Sequence, residues 1–124
     1  MTLNDIMKSL YFKKEAYFVD MFGKVKYNQT TLYNDRNNCS SKEHIERWLL
    51  INDLLNVARF LNNTWSPNWD DDKEEKYIII LQNGKAIPRK TEFPASFVYF
   101  SSEIIAQQAI DILSNEKLIQ IFEG

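Results

Sequence analysis

With 124 residues, 44% of them hydrophobic and 14% aromatic, the chain holds enough apolar material for one core without disulfides or metals, and only three Gly and three Pro argue against a disordered chain. A net charge of −2 lacks the basic excess with which nucleic-acid-binding domains neutralise phosphates. The single cysteine, Cys39, excludes an intramolecular disulfide, the N-terminus carries no signal pattern, and no apolar run nears the roughly 20 residues that span a bilayer, so a cytoplasmic protein is expected.

In chain order, Leu3, Ile6, Met7, Leu10 and Tyr11 follow helical spacing, with Thr2 and Asp5 at the start. Residues 16–21 and 24–33 then read as a hairpin around Phe22-Gly23, because Val25, Tyr27, Gln29, Thr31 and Tyr33 alternate; a helix running on to Gly23 is the other reading. Asn34–Asn38 is a polar turn. Ser40 and Glu43 form a capping box for a helix over 41–61. Its apolar arc, with Ile45, Trp48, Ile51, Leu55 and Ala58 beside Leu50, Leu54, Val57 and Leu61, is wide enough for a largely buried central helix.

After an irregular Trp65–Trp69 segment and an acidic run, Asp70–Glu75, the β-branched stretch 76–82 is the clearest strand. Asn83-Gly84 signals a two-residue hairpin, and Pro88 confines the return strand over 85–90 to an edge or ends it early. Phe97–Phe100 reads as a third strand. Ser101-Ser102-Glu103 opens a helix whose inner face is Ile105, Ala109, Ile112 and Leu113. Ser114-Asn115 breaks it, and 116–122 adds two turns. The expected fold class is therefore α+β: a three-stranded antiparallel meander packed on a central and a C-terminal helix, with an N-terminal helix or hairpin extension. We expect a single domain, 1–124, made of an extension over 1–38 and a core over 40–124.

Catalytic signatures are sparse. His44 is the only histidine, and hydrolase or metal sites need an imidazole beside a nucleophile or second ligand. Cys39, five residues away, is the one candidate, with no third orienting group. Glycines at 23, 84 and 124 build no phosphate loop. Asp70, Asp71 and Asp72 with Glu74 and Glu75 lack the alternation of a calcium loop, so no metal or cofactor is expected. They read either as a solvated loop or as an electronegative patch for a basic protein surface. Trp65 and Trp69 read as a plug over the core, as aromatic anchors for a partner, or as a base-stacking platform, which the nearby acidic run disfavours by repelling phosphates. Two basic groups, Lys13, Lys14, Lys24 and Lys26 with Lys8, and Lys85, Arg89 and Lys90, are the candidate nucleic-acid contacts, or else solvated edges.

Four stretches carry a resemblance. These are Arg47-Trp48, Trp65 to Asp70, Glu75 to Ile80, and Val98 to Leu113. They resemble small proteins encoded by phages and prophages of bacteria, in which a Trp-x-Pro-x-Trp-x-Asp-like segment precedes a Lys-Tyr strand and a Ser-Ser-Glu-like helix closes the chain. The resemblance spans about residues 45–122 and leaves 1–40 unmatched. No activity or catalytic residue comes with it. It implies a genomic context in which small acidic proteins occupy a host protein surface, anti-defence proteins such as anti-CRISPR inhibitors among them. The leading expectation is a non-enzymatic accessory protein that binds a host protein through Trp65, Trp69 and the acidic run. A nucleic-acid-binding accessory protein is second, and a small hydrolase or metal-dependent enzyme third.

Overall fold

The computed structural model describes residues 1–13, 15–29, 37 and 39–123. Lys14, the side chain of Lys13, the expected strand continuation over 30–33 and, apart from Asn37, the polar turn over 34–38 lie outside the described residues. The chain divides into two compact units, Met1–Leu49 and Leu50–Gly124.

In the first unit, α1 (Leu3–Lys13) starts at a reciprocal pair. The Thr2 hydroxyl accepts from the Asp5 amide at 3.2 Å, and the Asp5 carboxylate accepts from the Thr2 amide at 3.0 Å. The expected hairpin follows: β1 (Glu15–Val19) pairs antiparallel with β2 (Val25–Gln29). Its turn is closed by the Asp20 carboxylate, which accepts from the amides of Phe22 and Lys24, while Gly23 takes the left-handed conformation that its missing Cβ allows. Cys39 exchanges two backbone hydrogen bonds with Tyr17, each 2.8 Å, and the Asn37 side chain brackets Val19. Ala16, Phe18 and Ile45 are buried.

The next helix, α2 (Lys42–Asn62), begins one residue later than the capping box placed it. Ser41, not Ser40, is the cap: its hydroxyl accepts from the His44 amide and donates to Glu43 at 2.9 Å. Nor is the helix largely buried. Leu54 and Ala58 enter the core of the second unit, while Leu55 and Phe60 of that stretch, and Trp48 before it, are exposed. The arc was wide, but only the side formed by Leu50, Ile51, Leu54, Val57, Ala58 and Leu61 meets the core of the second unit.

In the second unit, Asn63 ends α2 with φ 57°. A two-stranded sheet joins β3 (Tyr77–Gln82) to β4 (Lys85–Lys90) across Asn83 and Gly84, both left-handed as the tight turn requires. The expected third strand is reduced to one bridge, Tyr77 with Phe100. The Tyr99 hydroxyl explains this: it donates to the Ser96 carbonyl at 2.6 Å and accepts from the Ser96 amide, folding 96–99 back so that only Phe100 reaches β3. Asn62 fixes the same segment, donating to the Tyr99 carbonyl and accepting from the Ser101 amide.

Ser102 caps α3 (Glu103–Leu113), as expected. Its buried face is Ala106, Ala109, Ile110 and Leu113, and Ile112, expected inside, is 60% exposed. The two alanines allow the close approach that sets this face. Ser114 (φ 88°) separates α3 from α4 (Asn115–Glu123), whose Leu118 and Ile121 complete a core with Phe100 at its centre. The class is α+β, built on two two-stranded sheets.

The outer edge of β4 is covered at Ala86 and Pro88. In a two-residue hairpin the pairs alternate, so Ala86 and Pro88 turn their main-chain groups away from β3. Asn115 accepts from the Ala86 amide at 2.6 Å and donates to the Gly84 carbonyl at 2.9 Å, and Pro88 has no amide to offer. Replacing Asn115 with Ala strips both bonds from a partly buried edge. Thermal unfolding of Asn115→Ala is expected to show a loss of about 1–3 kcal/mol.

Candidate functional site

The aromatic–acidic segment that joins α2 to β3 is folded around one ammonium. Lys76 is 3% exposed. A buried charge demands partners, and the preceding loop supplies them. The Lys76 Nζ donates to the carbonyls of Asp71 at 2.9 Å and Glu74 at 3.3 Å, and lies 3.4 Å from the Glu74 carboxylate. The Trp69 ring covers the same nitrogen, with its centroid 5.2 Å away.

The loop that wraps this centre has its own ties. The Glu74 carboxylate accepts from the Asn68 amide at 2.8 Å. The Asn68 side chain accepts from the Asp70 amide, and the Asp71 carboxylate from the Lys73 amide, each at 3.0 Å. Trp69 meets the edge of Tyr99 at 5.0 Å, which links the loop to the 96–99 turn. Behind the ammonium, the Lys76 carbonyl accepts from the Thr91 amide at 2.8 Å.

The proposed partner-binding residues therefore divide into two sets. Glu74 is engaged inside the loop, Trp65 is half-buried, and Trp69 stacks over Lys76 while staying 37% exposed. Asp70 and Asp72 are exposed, and their carboxylates make no hydrogen bond or ion pair among the described residues. Glu75, also exposed, sits 3.9 Å from Lys90. The residue missed by sequence reading is Lys76. Its signal was a lone cation between an acidic run and an unbroken apolar strand.

The basic groups are less concentrated. Lys24 and Lys26 are exposed on the hairpin of the first unit. On β4, Lys85 and Arg89 share one face while Lys90 lies on the other beside Glu75, and the Arg89 guanidinium donates to Gln82 at 3.0 Å. His44 is exposed, and no hydrogen bond joins it to Cys39. Among the described residues no cluster of His, Cys, Asp or Glu is placed to hold a metal ion. None of the described helices is long and apolar enough to cross a membrane.

No protein-family model matches the chain, and no curated protein or solved structure matches it either.

The Asn68 amide, followed by the Lys76 ammonium and Trp65, holds the Glu74 carboxyl below the usual carboxylate range against the opposing effect of burial. A carboxyl depressed in the folded state stabilises the fold above its unfolded pKa, and that contribution is lost as pH falls through the folded value. Acid is therefore expected to loosen this loop below about pH 5. Tryptophan fluorescence should report the change, and Glu74→Gln should flatten its pH dependence. Lys76→Met removes the ammonium and leaves the loop carbonyls without a donor. Chemical denaturation is expected to show a loss of about 1.5–3 kcal/mol with altered tryptophan emission.

Proposed function

We propose that this protein is a non-enzymatic accessory protein, of the kind phages and prophages encode, that binds a basic surface of a host protein through the loop over residues 69–75. One observation carries the reading. Lys76 and Glu74 fix the loop from within, which leaves the Asp70 and Asp72 carboxylates unpaired beside a half-exposed Trp69. A surface that is ordered before binding loses less entropy on association than a free acidic tail. An aromatic ring rimmed by unpaired charge combines an anchor with electrostatic steering. Inhibition of a bacterial defence nuclease, the anti-CRISPR type of activity, is the specific form proposed. Such nucleases present basic channels for nucleic acid, and an acidic loop is complementary to them.

The motif resemblance over residues 45–122 supports the phage context. A nucleic-acid-binding role is less well served, because Lys90 is paired with Glu75 and Arg89 with Gln82 on the hairpin that offered the densest cations.

Capture from bacterial lysate on immobilised protein, run beside Asp70→Lys/Asp72→Lys, tests the reading. The native chain should retain a specific protein, with retention falling as salt rises, and the double variant should lose it while melting normally. A salt-dependent mobility shift with DNA or RNA, unaffected by that variant, would favour the nucleic-acid role instead.

A further inference from the structure

The two edges of the β3–β4 sheet are treated differently. On β4 the outward amide of Ala86 is held by Asn115 and Pro88 has none to offer, which leaves only the amide of Lys90 at the strand's end. On β3 the alternation turns the main-chain groups of Tyr77, Ile79 and Leu81 away from β4. Tyr77 uses both of its groups on Phe100, at 2.9 and 2.8 Å. Beyond that bridge the chain folds back at Ser96, so the outward amides and carbonyls of Ile79 and Leu81 have no hydrogen-bond partner among the described residues. Ile79 is nevertheless only 2% exposed. Main-chain groups with neither protein nor ample water are rare in folded proteins.

Alongside this edge runs an open groove of about 420 Å³, lined by Ile79, Leu81, Ala95, Phe97, Phe122 and Glu123. The Phe97 and Phe122 rings, 5.8 Å apart, form its wall. The strand itself, from Tyr77 to Gln82, has no charge and no proline, the usual protections of an exposed edge. Glu123 is the only charged residue lining the groove, and it sits in the last turn of α4, which contains no basic side chain to balance the helix carbonyls.

We infer that the β3 edge is a second docking surface, which takes an extended segment of a partner protein as an added antiparallel or parallel strand, with apolar side chains at alternate positions and a Lys or Arg where the strand passes Glu123. Main-chain pairing at Ile79 and Leu81 would supply affinity, and the Phe97–Phe122 wall and Glu123 would select the side chains. The Tyr77–Phe100 bridge closes one end and so sets where the added strand stops. This surface does not depend on the acidic loop.

The test is selection of random peptides displayed on yeast against the whole chain, followed by measurement on the enriched peptides. Enriched sequences should alternate apolar residues and carry a basic one. Adding such a peptide should slow hydrogen exchange at the Ile79 and Leu81 amides. N-methylation of alternate peptide amides should cost about five- to tenfold in affinity for one set and little for the other. Glu123→Lys should lower affinity for the basic peptides by a similar factor. Phe97→Asp, at an exposed position, should abolish binding without unfolding the chain, whereas Asp70→Lys/Asp72→Lys should leave it unchanged. The inference is overturned if no such peptide is enriched or if enriched peptides ignore Phe97→Asp and Glu123→Lys. It is equally overturned if the two amides are already protected in peptide-free protein that sediments as a dimer, which would make a second copy the occupant.

Discussion

The organisation of residues 65–100 depends on where one ammonium goes. Lys76 begins the run into β3, and the residues after it must be buried for the sheet to pack on α3 and α4. Lys76 is buried at the strand's entrance, so its charge is met where it lies. Backbone carbonyls of Asp71 and Glu74, the Glu74 carboxylate and the Trp69 ring meet it together. Replacing a buried ion together with its partners by apolar side chains often costs little, whereas removing the ion alone strands the partners, so the pairing imposes one arrangement. The loop conformation follows from that requirement. So does the division of labour among its acids, with Glu74 committed inward and Asp70 and Asp72 left outward.

The sequence made local structure legible where local chemistry is decisive. Asn83-Gly84 forms the tight turn, Ser102 caps α3, Pro88 sits on an outer edge, and Thr2 with Asp5 starts α1. Each depends on a few neighbouring atoms. What was not legible involved partners distant in sequence. Phe97–Phe100 has strand composition, yet the Tyr99 hydroxyl clasping Ser96 leaves a single bridge. Ile112 fits a helical stripe, but two small residues, Ala106 and Ala109, rotate the buried face of α3 away from it. The apolar arc of α2 was wide for the same reason: periodicity says which faces are able to be buried, and tertiary packing says which one is.

The candidate site shows the same limit more sharply. An acidic run and two tryptophans were visible, with a plug and an anchor as rival readings. The fold puts the Trp69 ring over Lys76 and still leaves it 37% exposed, a position that neither reading specified. Lys76 carried only a positional signal, a cation between the acidic run and an apolar strand, and that signal does not say whether the lysine is buried. Its partners lie two to seven residues upstream, on a loop whose path only the folded chain defines.

The contrast between the two sheet edges follows from the same economy of backbone groups. A two-stranded sheet has two edges, and each outward amide must find a partner, be removed, or stay open to a ligand. On β4 both of the first two solutions are used, Asn115 taking one amide and Pro88 deleting the next, and only Lys90 at the strand's end keeps an outward amide. On β3 the first solution is used once, at Tyr77, and then stops, because the strand that would have continued the pairing is turned away by Tyr99. The same hydroxyl that ends the expected meander thus opens the groove beside Ile79 and Leu81. Trp69 packs on that tyrosine. The acidic loop and the open edge are therefore separate surfaces that share one structural post, and a change at Tyr99 would be felt at both.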